Sequence, residues 1–493
     1  MQPPAPPRMD GAPELSRPGT ERPVSRFNQQ RVHFVGIAGC GMSGLAHVLL
    51  DAGATVTGTD PADDEVVARL RERGCTIGHV QDGSLLTEDI ALVVRTAAVK
   101  DDNAELVRAR QLGLPVTSYA DLLGVVMAER QGVAVAGTHG KTTTSALISY
   151  ALVRGGLDPS FVVGGTIPQL GGGSHSGSGD AFVAEACEYD RSFLKLRPHI
   201  AVVTNVEADH LDTYPGGLPE IVETFGEFCR LVPDDGRVIL NGDDPNSHGL
   251  AGDKPVWRVG QGLGCDWTLV PAGLVDGRPQ GRLLFGDKLV ATLDLKLPGR
   301  HNLMNAAMAV AAAVAAGATV DQATLAVNDF RGVDRRQSHL GLVHGTSVDV
   351  VDDYGHHPTE IRVTLGALRD RYLSKGDGRL LCVFQPHQAS RTRHLLADFA
   401  TSFAAADLVF FPDIYSVRDT ADDRRFVTSD TLAQRVRDAG QHGEHVPGFD
   451  AVARRVRGEI RDGDLVVTMG AGDVWKVGRM LVDGTFDTVK EAA

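Results

Sequence analysis

Short apolar runs that stop at a glycine or an acid, each followed by a longer segment with apolar residues at helical spacing, recur along most of this chain. The first is a strand over 31–36, followed by an apolar helix to 50, a second strand over 55–59 that stops at Asp60, and another buried strand over 91–94. Alternation of this kind predicts parallel sheets covered by helices on both faces. A second set begins at Val133 with an apolar strand, then a helix ending at Gly155 and Gly156, then strands at 161–163, 181–185, 201–204 and 238–241. Between Trp257 and Leu297 the pattern changes to short alternating segments with glycine turns, which predicts an antiparallel sheet added to the parallel one. An Ala-rich packed helix follows. Beyond 330–332 a third set has strands into Val351 and at 380–384, 408–411 and 464–468, with helices over 395–403, 432–438 and 474–481. The chain thus divides into a tail over 1–30 and α/β units over 31–126, 127–331 and 332–493. The Gly-rich stretch 171–179 reads as a flexible surface loop.

Composition narrows the classes. The chain has 493 residues, enough for two to four domains at roughly 100 to 200 residues each. A net charge of −14 gives no basic face for a nucleic acid. The tail is rich in Pro, Arg and Glu with no apolar segment, which reads as disorder rather than a signal peptide. The most apolar run, 306–316, is too short for a bilayer span of about 20 helical residues. Six cysteines lie scattered without a C-x-x-C pair, so they are expected reduced, with neither a zinc knuckle nor a disulfide framework. These features suit a soluble cytoplasmic protein.

Chemistry concentrates where strands end. Gly137, Thr138, His139, Gly140, Lys141, Thr142 and Thr143 follow the strand from Val133 and read as strand, phosphate loop, helix. Glycines let backbone N–H groups turn around a polyphosphate, and the helix presents its positive end to the anion. Lys141 is then placed for terminal phosphates and Thr142 for magnesium. The loop is shorter than G-x-x-x-x-G-K-[ST], because Val135 stands where the first glycine would be. Glu185 ends one predicted strand, and a comparable end carries Asp209, His210 and Asp212. Acids and an imidazole on the edge that bears a phosphate loop are the chemistry of a magnesium site. The third unit supplies Asp353, Tyr354, His356, His357 and Pro358, the proline placed to open a helix, and Arg391, suited to clamp a carboxylate. A second glycine loop, Gly39, Gly41 and Gly44, taken alone suggests NAD. The lysine-bearing loop argues against an oxidoreductase, and two phosphate sites fit one nucleotide-linked substrate plus ATP.

In these segments the chain resembles the Mur ligases, ATP-dependent ligases of peptidoglycan precursor synthesis. The motifs are H-F-V-G-I-A-G-C-G-M-S-G-L-A from His33, G-T-H-G-K-T-T-T from Gly137, D-D-Y-G-H-H-P-T-E-I from Asp352, Q-P-H-Q-A-S-R-T-R from Gln385 and G-A-G-D-V-W from Gly470. The resemblance runs from Arg31 to the C-terminal helix. It implies a Rossmann-like N-terminal domain, a central P-loop ATPase-like domain and a Rossmann-like C-terminal domain. It also implies that Gly39, Cys40, Gly41, Met42 and Ser43 hold the diphosphate of UDP-N-acetylmuramate, and that Gly137 to Thr143 hold ATP. Thr142, Glu185 and His210 would bind Mg2+. Asn302, Asn305, Arg335 and Asp353 match ATP-side positions, and Tyr354, His356 and Arg391 positions near an incoming amino acid. The chain departs from the family pattern at Ala38, at Thr96 and Ala97, and at Cys187, where a carboxylate is commoner.

Relatives that add glutamate, a diamino acid or a dipeptide use a carbamylated lysine after the D-H-x-D segment. No lysine occurs here between Lys195 and Lys254, which favours the branch adding L-alanine to UDP-N-acetylmuramate. The expected reaction is amide formation through an acyl phosphate, with Lys141 and Arg391 catalytic and with His356 or His357 as base, a choice the sequence leaves open. Competing expectations are a ligase that adds a tripeptide to the same nucleotide, a folylpolyglutamate synthase, an NAD-dependent oxidoreductase and a non-catalytic nucleotide-binding scaffold.

Overall fold

The computed structural model describes residues 25–485 apart from 97, 375, 417–418 and 420–424, and the backbone but not the side chain of Cys40. Of the tail expected over 1–30, residues 1–24 lie outside the described residues, as does Ala97, whereas 25–30 are packed rather than disordered: Phe27 is buried, Arg26 pairs with Glu129 and the Gln30 carbonyl accepts from the Thr55 N–H. Three sheets organise the chain. The first has five parallel strands in the order Thr76–Gly78, Thr55–Thr59, Arg31–Val35, Leu92–Arg95, Val116–Ser118. Its strands are apolar on both sides because helices cover both faces, as the near-continuous apolar runs predict.

The second sheet has ten strands. At its centre Gln131–Ala136 lies between Ile200–Val203 and Ala181–Glu185, all parallel, with Ala136 beside Val203 and Val135 beside Glu185. This register puts the phosphate loop and both acid-bearing strand ends on one edge. Trp267–Val275, Arg278–Phe285 and Lys288–Asp294 add the antiparallel extension. The Ala-rich segment is the helix His301–Ala315, buried along nearly its whole length against the helix Lys141–Arg154 and the sheet.

The stretch 171–179 is not a free loop. Gly172–His175 pairs antiparallel with Ser160–Ile167 as the edge of this sheet, and the glycines are needed for close approach. A Cβ on Gly179 would lie 1.7 Å from the Leu157 carbonyl oxygen, and one on Gly173 would lie 2.6 Å from that of Gly165. Glycine here serves packing, which composition alone does not separate from flexibility. The hairpin also receives the glycine-loop helix Cys40–Asp51, since a Cβ on Gly44 would touch Val162 at 3.0 Å and Ser174 at 3.2 Å.

In the third sheet Ser338–Leu342 is antiparallel to Asp349–Asp353, and Leu465–Met469, Leu380–Phe384, Leu408–Phe411 and Gly443–His445 follow in parallel. Asp353, Met469 and Phe384 stand side by side, so the segments after them leave along one edge. The fold is a three-domain α/β architecture. No helix of the described residues is long and apolar enough to cross a membrane. Of the described cysteine side chains, Cys75, Cys229 and Cys382 are buried, Cys187 is exposed, and all are free thiols.

Candidate active site

The phosphate loop is built on two left-handed glycines, Gly137 at φ 139° and Gly140 at φ 79°. A Cβ on Gly137 would lie 2.0 Å from Thr204 Oγ1, and one on Gly140 would lie 2.8 Å from Asn305 Oδ1. The neighbouring strand end holds the loop's outer side: Asn205 Oδ1 accepts from the His139 N–H, and Thr204 Oγ1 donates to the His139 carbonyl. The helix Lys141–Arg154 starts at Gly140 with no side chain capping it, so its first N–H groups remain for an anion. Lys141 Nζ donates to the carbonyls of Gly137 (2.5 Å) and Thr138 (3.1 Å) and to Glu188 Oε1 (3.0 Å). Burial works against its charge, but the neighbouring groups, Glu188 foremost and Glu185 among them, together outweigh burial and the ammonium is held above its ordinary range.

Thr142 Oγ1 donates to Glu185 Oε2 at 3.2 Å, and Glu185 Oε1 accepts from the Gly164 N–H. His210 lies one step away. Its backbone is left-handed at φ 52°, and its Nε2 is 3.9 Å from Glu188 Oε1. Glu188 thus sits between Lys141 and His210, buried, with Oε2 lacking any hydrogen bond. Hydroxyl and carboxylate oxygens with an unpaired buried carboxylate oxygen are the donors a hard dication takes, and Thr142, Glu185 and Glu188 supply them, with the His210 imidazole beside Glu188.

Of the residues expected on the ATP side, Asn302, Asn305 and Asp353 line a cleft between the second and third units with His139, Gly140 and Thr143, and Arg335 is not in its lining. Asn305 donates to Asn302 Oδ1, which fixes both amides on one helix face. Asp353 lines the same cleft. Burial pushes its carboxyl up to about 6, and it accepts from the N–H groups of Gln337 and Gly355. Arg335 is tied to Asp352 and to the carbonyls of Gly470 and Gly472. The neighbouring Arg336 is the one that reaches the loop, donating to Thr142 Oγ1 at 3.1 Å. Both guanidinium groups lie on the Tyr354 ring, at 4.9 and 5.0 Å.

Arg391 borders a second hollow with Asp209, His210, Leu211, Ser390 and His394. Its Nη2 lies 3.2 and 3.4 Å from the two Asp209 oxygens. Burial raises the Asp209 carboxyl, but Arg391 and the nearby imidazoles outweigh it and hold it well below the usual carboxylate range.

The two adjacent histidines differ in their protons. His356 Nδ1 faces the Tyr354 carbonyl at 3.2 Å, which accepts only, so the proton is on Nδ1 and the Nε2 lone pair is free. Burial and then Arg391 push this imidazole down to about 3. His357 is the N-cap of the helix Pro358–Tyr372, its Nδ1 accepting from the Thr359 N–H and Glu360 completing a capping box. Nδ1 being an acceptor, Nε2 carries the proton. The unprotonated nitrogen of His357 is taken up by the cap, so of the two candidate bases His356 is the one whose unprotonated nitrogen is not engaged by the backbone.

His139 joins the units. Its Nδ1 is 3.2 Å from Glu360 Oε1 and its Nε2 3.5 Å from Glu207 Oε2, while Thr359 Oγ1 donates to Glu207 at 2.8 Å. Burial opposes the charge on His139, but the two carboxylates raise it from 6.5 to about 9. The adjacent His139 imidazolium holds Glu207 down at about 2 against 4.5. The stability His139 contributes is complete below about 6.5 and is lost as pH rises through about 9; that of Glu207 is complete above about 4.5 and is lost as pH falls through about 2. The contact is therefore strongest between about 4.5 and 6.5. We expect the urea midpoint of nucleotide-free protein to fall between pH 7 and 9.5, and the fall to flatten in His139→Asn. Equal slopes in the two proteins would contradict the ion pairing.

In the first unit Gly39 caps the helix Cys40–Asp51, and a Cβ on Gly41 would strike the Tyr119 ring at 2.7 Å. Met42 points into the core and Ser43 is buried, so Met42 can serve a ligand only through its backbone. Glu188, Glu207, Glu360 and Arg336 join the site without being marked by any motif that assigns them to it. A cap signal, H-P-T-E, was available for Glu360 alone.

Three family models match in succession: the Mur ligase family catalytic domain over 31–131, the Mur ligase middle domain over 135–313, and the Mur ligase glutamate ligase domain over 335–472. The chain is 40% identical over 460 residues to a UDP-N-acetylmuramate–L-alanine ligase of Caldanaerobacter subterraneus subsp. tengcongensis, covering 92% of this chain and 97% of that one. Among solved structures it is similar to a UDP-N-acetylmuramate-alanine ligase from Thermotoga maritima, with TM-score 0.77 and 27% identity over 92% of this chain and 99% of that one. A murein peptide ligase from Psychrobacter arcticus is similar with TM-score 0.70 and 25% identity, over 94% and 100% of the two chains.

Proposed function

The chain belongs to the Mur ligase family, and from that premise we propose that it joins L-alanine to the lactyl carboxylate of UDP-N-acetylmuramate using ATP, in the cytoplasm. The unit over 31–126 takes the nucleotide sugar, 127–331 takes ATP, and 332–493 takes the amino acid and closes on ATP. The observation that carries the reading is the cleft itself. It is lined by the phosphate loop on one side and Asp353 and Glu360 on the other, and beside it Arg391 of the third unit bonds Asp209, which follows the strand adjoining the phosphate-loop strand. The choice of alanine is supported by similarity to alanine-adding ligases and by the absence of lysine between Lys195 and Lys254.

In the first step a lactyl carboxylate oxygen attacks the γ-phosphorus, the bond to the bridging oxygen breaks, and ADP leaves. The alanine amine then attacks the acyl carbon and phosphate leaves. No enzyme-bound covalent intermediate is required. Lys141 and the helix N-terminus offset charge on the transferring phosphoryl group, which is where such enzymes gain most of their rate. Thr142, Glu185 and His210 would hold Mg2+, which supplies further charge neutralisation at the phosphates. Arg391 receives the alanine carboxylate in place of Asp209. That exchange keeps a carboxylate on the cation which depresses His356, so its Nε2 stays unprotonated and able to take the proton of the amine. The test is ADP release with UDP-N-acetylmuramate and each amino acid or the tripeptide in turn. L-Alanine is expected to support turnover and the tripeptide none; the reverse result would assign the chain to tripeptide ligation.

A further inference from the structure

His139, Glu207 and His357 bring one potential ligand atom each within 4.8 Å of one another, which at first sight is a metal site. Their hydrogen atoms argue otherwise. The Nδ1 of His357 already accepts from the Thr359 N–H, so its Nε2 bears a proton. His139 faces a carboxylate on each side and is protonated at both nitrogens at neutral pH. Two of the three groups therefore present N–H, not lone pairs. A cation would have to displace both protons, whereas an anion would be met by them.

These two N–H groups are also the ones without a hydrogen bond. His139 Nε2 and His357 Nε2 are both buried and neither has a well-directed acceptor, Glu207 being 3.5 Å from His139 Nε2. His357 is 6% exposed. The two rings are 4.7 Å apart, His139 coming from the phosphate loop and His357 from the helix cap across the cleft. A buried donor without a partner is a group waiting for an acceptor, and the acceptor that belongs beside a phosphate loop is a phosphate oxygen.

Resting on the ligase reading above, we propose that His139 and His357 form a two-imidazole donor pair, closed from opposite sides of the cleft, that binds an oxygen of the transferring phosphoryl group and of the phosphate released. His357 is then a catalytic hydrogen-bond donor with a fixed tautomer and takes no proton. The helix cap enforces that tautomer, because a proton on Nδ1 would face the Thr359 N–H.

His357→Asn separates the two roles of the ring. Asparagine Oδ1 replaces Nδ1 as a helix cap but does not reach the place of Nε2. The expected result is kcat lower by about 10²-fold, the loss typical of one such donor. The inhibition constant of inorganic phosphate as a product inhibitor is expected to rise about tenfold by the same loss of a phosphate contact. The KM for ATP, the inhibition constant of ADP and the shape of the pH–rate profile should stay as in the parent. A kcat and a phosphate inhibition constant both within about twofold of the parent would overturn the proposal, as would loss of one limb of the pH profile. A parent protein that releases no ADP with UDP-N-acetylmuramate and alanine would instead overturn the ligase reading. Independently of any variant, 15N spectra of histidine-labelled parent protein should give His357 protonated at Nε2, with a shift on adding ADP and phosphate. A proton on Nδ1, or cobalt(II) binding with loss of both imidazole protons, would refute the donor pair.

Discussion

Replacing Lys141 by alanine is expected to reduce alanine-dependent ADP release by about a thousandfold or more, the scale at which a cation on a transferring phosphoryl group acts. The side chain now folds back on its own loop, holding the Gly137 and Thr138 carbonyls and Glu188. Phosphate oxygens would take over those bonds when ATP enters. Loss of the amine has a second effect, because the Glu188 side chain is only 5% exposed and its other oxygen is already unpaired. Breaking a buried ion pair by removing one partner costs about 3–5 kcal/mol. The variant should therefore unfold at lower temperature as well as lose turnover. The double variant Lys141→Ala, Glu188→Gln separates the two losses: it should regain most of the thermal midpoint and none of the activity. Normal turnover by Lys141→Ala would remove the loop from the chemistry altogether.

What the chain discloses before folding is what is local. A strand that stops at Ala136, two glycines and a lysine lie within one turn of each other, and their order alone predicts the loop, as the run after His301 predicts a buried helix. The three α/β units follow from the same short-range alternation. Other features depend on partners far away in sequence. Glu188 meets Lys141 across 47 positions and Glu360 meets His139 across 221, and no periodicity links either pair. Arg335 and Arg336 are neighbours with the same side chain, yet the carbonyls of Gly470 and Gly472 occupy one while the other reaches Thr142. The glycines of 171–179 look like a linker because composition records the missing Cβ but not the backbone that fills its place. Nor does sequence decide between His356 and His357, since a tautomer is set by whichever backbone group the ring meets.

Arg391→Lys is expected to raise the KM for alanine about 30- to 100-fold while leaving that for ATP within about threefold, because a lysine offers one point charge where the guanidinium offers a planar fork matched to a carboxylate. The present partner of Arg391, Asp209, occupies the position an alanine carboxylate would take, and both side chains are about one-tenth exposed. Exchange of one carboxylate for another preserves the buried pairing on the arginine, so binding can be selective without being tight. Arg391→Ala goes further. It leaves Asp209 without its cation, and the Asp209 carboxyl rises toward its ordinary range. It also removes the charge that, after burial, depresses His356 most. A cation lowers an imidazole's pKa, so its loss raises it, and a base that must be unprotonated then fails at a higher pH. The acid limb of the kcat profile should accordingly move toward neutrality in Arg391→Ala and stay in place in Arg391→Lys, which keeps the positive charge. A limb that stays in place in Arg391→Ala would take His356 out of the proton transfer, whereas an unchanged alanine KM in both variants would take Arg391 out of the amino-acid site.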